Sequence, residues 1–295
     1  MMSNFVGYCA AQVADADLNL TFPVTVLYPT DTAGQPETIG LYQLDVARDA
    51  APRAGSFPLV LVSHGTGSSG LVHRNLALDL VRRGYVVALP EHPHNNRGDD
   101  SWAHTPQNLQ ARPRHLQLTI DHLLADPRLG PVIRPEAVAL IGHSLGGYSA
   151  LALAGGRPVS VPRSSADGPP RSIPVPTADA RVRAVVLLAP ALPWFMAEGS
   201  LRGVQVPVLA LVGGQDEHLP PGFIRHVLAG LPTASRLEYH VVENAGHFSF
   251  LSPFPAARVS PQFPPSQDPP GLGDRARFHR EELYPTIAAF LGRFL

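Results

Sequence analysis

Residues Ala137 to Gly147 read Ala-Val-Ala-Leu-Ile-Gly-His-Ser-Leu-Gly-Gly, and Tyr148 to Ala154 continue with small, helix-compatible residues. The apolar run 137–141 predicts a buried strand, and 145–154 predicts a helix. Between them stands Gly142-His143-Ser144-Leu145-Gly146, the pattern G-x-S-x-G in a strand–turn–helix setting, which is the nucleophile elbow. The turn is so tight that a Cβ at Gly142 or Gly146 would meet neighbouring backbone. The serine at its apex is left exposed above a helix N-terminus, where the dipole favours a developing negative charge. The plainer alternative is a glycine turn with a capping serine.

Outward from this point, strands and helices alternate. Phe22–Tyr28 and Leu41–Val46 read as an early antiparallel pair, and Pro58–Ser63 as a buried parallel strand. A helix is predicted over 72–83, ended by Gly84, and another over 114–125, with strand 86–89 between them. Strands 182–188, 206–212 and 237–242 follow, with helices at 222–229 and about 282–294. This rhythm predicts an α/β fold with a mostly parallel sheet and helices on both faces, in a single domain over 1–295. Two excursions interrupt it. Residues 155–180 are rich in Gly, Pro, Ser and Arg, and 252–275 hold seven prolines. Both read as loops on the ligand side of the sheet, either walls of a pocket or solvent-exposed decoration.

Composition removes whole classes of function. Hydrophobic residues make up 44% and charged residues 16% of 295, enough for a large core. The net charge of −1 gives no electrostatic case for nucleic acid or an anionic membrane. All 23 basic residues are Arg, so lysine chemistry is absent. Cys9 is the single cysteine, so neither an intrachain disulfide nor a Cys–His zinc cluster can be built. The start Met1-Met2-Ser3-Asn4 shows no signal peptide and no apolar run reaches a membrane-spanning length; a cytoplasmic location is expected.

A serine nucleophile needs a base, and the base an orienting carboxylate, in the chain order Ser, acid, His. His247 stands in Ala245-Gly246-His247-Phe248, directly after the last strand, and is the predicted base. His226 and His240 fall within a helix and a strand, and His218 follows the acid too closely. The strand over 206–212 leads into Gly213-Gly214-Gln215-Asp216-Glu217, which makes Asp216 the predicted acid and Glu217 the fallback. The oxyanion needs two backbone N–H donors. Leu145 supplies one. The loop Ser63-His64-Gly65-Thr66-Gly67 supplies the other, from Thr66 or alternatively Gly65. Trp194 and Phe195 are candidates for an apolar pocket wall or for plain core packing.

Two competing patterns lie in the same region. Gly65-Thr66-Gly67-Ser68-Ser69-Gly70 matches G-x-G-x-x-G after a strand, and Glu91 ends the next strand where a ribose-binding acid would sit. Alone this would indicate an NAD-dependent dehydrogenase, but such folds usually begin with that unit, and here some 57 residues with strand character precede it. Glu91-His92-Pro93-His94 offers two histidines for a metal without an evident third ligand, so a role for Glu91 in the pocket is expected instead.

Val26-Leu27-Tyr28-Pro29-Thr30, Leu61-Val62-Ser63-His64-Gly65, Gly84 to Pro93, Gly142 to Gly147 and Gly246-His247-Phe248 together resemble the dienelactone-hydrolase-like group of α/β-hydrolases, which is similar to platelet-activating factor acetylhydrolases. The resemblance spans roughly residues 20–250. It implies the α/β-hydrolase fold and an esterase-type serine hydrolase without cofactor or metal. Two departures stand out. Dienelactone hydrolases use a cysteine nucleophile where this chain has Ser144. The acetylhydrolases resemble a variant with the acid after the preceding strand, but Leu188-Ala189-Pro190-Ala191 holds no carboxylate, which returns the role to Asp216. The expected function is cleavage of a small or medium carboxylic ester through an acyl-enzyme. The alternatives are a lactonase, amidase or polyester hydrolase on the same triad, the dehydrogenase, and a non-enzymatic binding protein.

Overall fold

The computed structural model describes residues 5–161, 168–232 and 237–295. The expectations for Met1 to Asn4 and for 162–167 of the first excursion lie outside them. Among the described residues ten strands form one sheet: β1 (Phe5–Asp15), β2 (Leu20–Thr30), β3 (Gln35–Ile39), β4 (Tyr42–Arg48), β5 (Phe57–Ser63), β6 (Val86–Pro90), β7 (Ile133–His143), β8 (Val182–Leu188), β9 (Val208–Gly213) and β10 (Leu237–Val242). Their order is β10-β9-β8-β7-β5-β6-β2-β1-β4-β3. From β10 to β6 all neighbours are parallel, as the buried, alternation-free runs require.

The helices are α1 (Arg74–Arg82), α2 (Pro106–Ala125), α3 (Leu145–Leu153), α4 (Pro221–Leu228), α5 (Arg275–Phe278) and α6 (Tyr284–Leu291). One core layer joins Leu116, Ile120, Tyr148, Leu151 and Ile224, so α2, α3 and α4 cover one face. The other joins Leu76, Leu80, Ile287 and Phe290, so α1 and α6 cover the opposite face. The expected arrangement of helices on both faces is present. Among the described residues no helix is long and apolar enough to cross a membrane.

The early strands differ from expectation. The segments at 22–28 and 41–46 do not pair with each other. The strand β1 lies between them, antiparallel to β2 over its whole length and parallel to β4 at Gly7 and Tyr8. The β4 strand instead forms a hairpin with β3. Helix α2 begins at Pro106 rather than 114, capped by the Thr105 hydroxyl, which accepts from Asn108 N–H at 3.3 Å. It runs through Pro113, which cannot donate to the Leu109 carbonyl one turn back. The Tyr148 hydroxyl fills that place, donating to Leu109 O at 2.9 Å.

Candidate active site

Ser144 has φ 52° and ψ −119°, a backbone region that disfavours side chains. The strain is held on both sides. Ser144 N–H donates to Leu188 O at 3.0 Å, and Ala191 N–H donates to Ser144 O at 2.9 Å, so the turn is tied to the end of β8. A Cβ on Gly142 would strike the Gly146 carbonyl, and one on Gly146 would strike the Ser63 carbonyl. The motif glycines are therefore dictated by two close backbone approaches, as the sequence suggested. Leu145 opens α3, so its N–H has no intrahelical acceptor.

Asp216 follows β9 and His247 follows β10, and the two meet. His247 Nδ1 lies 2.8 Å from Asp216 Oδ2, both side chains being almost wholly buried. The other carboxylate oxygen accepts from the N–H groups of His218 at 2.9 Å and Leu219 at 2.8 Å. Burial alone would raise the pKa of Asp216; the His247 hydrogen bond and charge, with the two N–H donors, outweigh it and hold the carboxyl below its ordinary value. An ionised Asp216 keeps the proton on Nδ1 and leaves Nε2 as the basic nitrogen. Glu217 is exposed and takes no part.

The loop carrying His247 is fixed from behind. Ser249 Oγ accepts from Gly246 N–H at 3.0 Å and donates to Asp268 at 2.7 Å, and Asp268 is paired with Arg275 at 2.8 Å. His279 Nε2 donates to Ser249 O at 2.7 Å. From the other side His143, the variable residue of the elbow motif, donates from Nε2 to His247 O at 2.9 Å.

Ser144, His247, Gly65, Thr66 and Glu91 line one cavity of about 810 Å³. A Cβ built on Gly65 would lie 3.1 Å from the Ser144 Cβ, so the loop after β5 passes directly beside the serine. Glu91 lines the cavity and also braces that loop. Its carboxylate accepts from Gly70 N–H at 3.0 Å and from the Ser69 hydroxyl at 3.2 Å. The acid expected on a ribose instead bonds its own glycine loop through one oxygen, which counts against the dinucleotide reading of Gly65 to Gly70. His92 and His94 are also engaged separately. His92 bonds Ser63 and His115, and His94 bonds Asp99, so they do not converge on a metal.

The pocket walls were only partly foreseen. Phe254, Phe263 and Pro265 bring the 252–275 excursion into the cavity, whereas no described residue of 155–180 lines it. Trp194 and Phe195 do not line it either. They pack on Tyr148 behind α3, at ring separations of 5.0 and 5.5 Å, and Phe195 is fully buried. The apolar wall comes instead from Leu41 and Tyr42 at the β3–β4 turn, and from Leu71, Val72 and Leu251. His218, set aside on chain order, stands edge-on to His247 at 5.1 Å in the same cavity. Its place right after the acid was the only sequence signal for it.

The chain matches the family model of platelet-activating factor acetylhydrolase, isoform II, over residues 37–117. That stretch holds the β3–β4 hairpin, the loop after β5 and Glu91, and stops short of Ser144. No curated protein matches the chain. Among solved structures, a ferulic acid esterase from Streptomyces cinnamoneus is 21% identical, with a TM-score of 0.75 over 99% of this chain and 90% of that one. A dienelactone hydrolase from Anabaena variabilis ATCC 29413 is 17% identical, with a TM-score of 0.59 over 98% and 99%. A dienelactone hydrolase-like promiscuous phosphotriesterase from metagenomic libraries is 14% identical, with a TM-score of 0.62 over 98% and 99%. These matches meet the resemblance read from the motifs, and the fold they share with this chain, a mostly parallel sheet with helices, is that of the α/β-hydrolases.

Proposed function

We propose that the chain is a serine esterase acting on small or medium carboxylic esters through an acyl-enzyme. The observation that carries this reading is the buried His247–Asp216 contact of 2.8 Å in the cavity that Ser144 lines. In the proposed reaction His247 Nε2 takes the proton of Ser144 Oγ as the oxygen attacks the ester carbonyl. The N–H groups of Leu145 and Thr66 receive the oxyanion. His247 then passes the proton to the leaving alcohol, and deprotonates the water that releases the acid.

The cavity favours an uncharged acyl group of moderate size. Leu41, Tyr42, Leu71, Val72, Leu251 and Phe254 make much of its wall apolar, with Glu91 and Arg97 as its charged members, and about 810 Å³ falls within the range of small-molecule sites. The ferulic acid esterase and the dienelactone hydrolase among the similar structures are consistent with ester or lactone substrates. Lactones, amides and polyesters require the same nucleophile, so they are further arms of one test. A panel of p-nitrophenyl esters, lactones, anilides and a phosphotriester should give the highest kcat/KM on short or medium acyl esters. Highest turnover of long-chain esters, or none on any ester, would overturn the reading.

A further inference from the structure

Behind the oxyanion loop lies a side chain that the reaction as written does not use. Arg112 is fully buried in the first half of α2. Its hydrogen-bond partners among the described residues are all neutral. Nη1 donates to Asn95 Oδ1 at 2.7 Å, Nε to Ser149 Oγ at 3.2 Å, and Nη2 to the carbonyl of His64, with Ser63 Oγ at 3.5 Å. Asn95 in turn donates to Asp100, the acid whose charge Arg112 feels most. A buried cation without a carboxylate in direct contact costs stability, so its placement calls for a reason.

The His64 carbonyl gives one. The chain has no cis peptide bonds among the described residues, so the N–H of Gly65 points away from the carbonyl that Arg112 holds. The next peptide is held in the same way. His64 Nδ1 lies 2.7 Å from Gly65 O. The proton is on Nδ1, because Nε2 accepts from His92 N–H at 3.2 Å. Fixing Gly65 O fixes the opposite N–H, that of Thr66. Each of the two N–H groups that can serve as the loop's oxyanion donor is therefore anchored and polarised through its own carbonyl. Arg112 also reaches Ser149 on α3, the helix that carries the Leu145 donor.

We propose that Arg112 and His64 are positioning residues of the oxyanion hole, holding the 64–65 and 65–66 peptides so that their N–H groups face the developing charge on the substrate. This rests on Ser144 being the acylated residue. The decisive variants are His64→Asn, whose amide keeps a donor near the Nδ1 position, and His64→Gln, which keeps only a group near Nε2. Arg112→Met and Arg112→Lys form a second pair. For each, the readouts are kcat per serine titrated with a fluorophosphonate, KM for a p-nitrophenyl ester, and Ki for phenylboronic acid, which adds to a serine hydroxyl and places an anionic oxygen in the hole.

His64→Gln and Arg112→Met should lower kcat per titrated site by about 10- to 100-fold, less than loss of a direct donor, with KM little changed. The boronic acid should weaken by a similar factor. His64→Asn and Arg112→Lys should recover most of both. A merely structural role would instead reduce the titratable fraction and the melting temperature while leaving kcat per site intact, and that result overturns the proposal, as does equal kcat for His64→Gln and His64→Asn. If Arg112→Met does not fold, the His64 pair decides. If the wild type hydrolyses esters and labels at Ser144 while His64→Gln retains full kcat, only this inference falls. If the wild type does neither, the esterase reading falls and this inference with it.

Discussion

The guanidinium of Arg74 lies 3.8 Å from the ring centre of Tyr42, which it covers as a cation–π partner. Arg74 also donates to the carbonyl of Pro253. Tyr42 belongs to the β3–β4 turn and Pro253 to the root of the 252–275 excursion, so one buried arginine joins two walls of the cavity. Ser252 adds to the seam, donating to Val72 O at 2.7 Å and accepting from Asn75 N–H at 3.0 Å.

Arg74→Ala should therefore loosen the cavity without touching Ser144 or His247. The cation–π contact alone is worth roughly 0.5–2 kcal/mol, so a fall in melting temperature of a few degrees is expected. Measured across an acyl-chain series, kcat/KM should shift toward longer or bulkier esters. An unchanged chain-length profile would mean that the two walls keep their spacing without Arg74.

Ser144→Ala should abolish fluorophosphonate labelling and lower turnover by about 10⁵-fold or more, since a triad fails as a unit. The melting temperature should hardly move, because the strained φ of 52° remains and the side chain has no hydrogen bond to lose at a cap. Mass spectrometry of the labelled wild type should find the adduct on the peptide containing Ser144.

Asp216→Asn should cost about 10⁴-fold in kcat, because the amide leaves His247 in the wrong tautomer. Glu217→Gln should be mild, as that side chain is exposed. Steady-state kinetics on the two variants separate these outcomes, and the reverse pattern would assign the acid to the neighbouring residue.

Acid should destabilise the fold early. Burial lowers the pKa of His64, His115 and His143 to about 3 and that of His279 to about 4. These rings stay neutral in the folded chain while the unfolded chain protonates them near pH 6.5. Their contribution is thus complete above about pH 6.5 and is lost as pH falls toward the folded values, at up to about 1.4 kcal/mol per pH unit for each ring. The midpoint of thermal unfolding, followed from pH 8 to pH 4, should be flat at first and then drop steeply. His73 sharpens this. It is fully buried, and among the described residues neither ring nitrogen has a hydrogen-bond partner. His73→Leu should raise stability by about 1 kcal/mol and flatten the acid limb.

Why the meeting of Asp216 and His247 at the cavity of Ser144 is legible in the sequence, and the walls are not, follows from what each depends on. Ser144, Asp216 and His247 each follow the end of a strand, and a parallel sheet brings such ends to one edge whatever the loops do. Ser144 also needs Gly142 and Gly146, which leave a local signature. The strand β1 was missed because Gly7, Ala10 and Ala11 dilute its apolar pattern, and β3, Gln-Pro-Glu-Thr-Ile, is a polar edge strand. With β1 unseen, β2 and β4 were paired wrongly. For Trp194 and Phe195 chain position leaves pocket wall and core packing equally open, and their packing on Tyr148 decides for the core, since which side of α3 a loop descends is a tertiary matter. Tyr42 is the converse case: the sheet order and Arg74 bring it to the cavity that Ser144 lines.

The base arrives late in the chain. Ser144 completes its elbow as soon as β7, β8 and α3 are in place, but the His247 loop follows β10 and is braced by Ser249 against Asp268 and His279. On the proposed reading, a chain shortened before His247 would keep the strained Ser144 and lack the base that it needs.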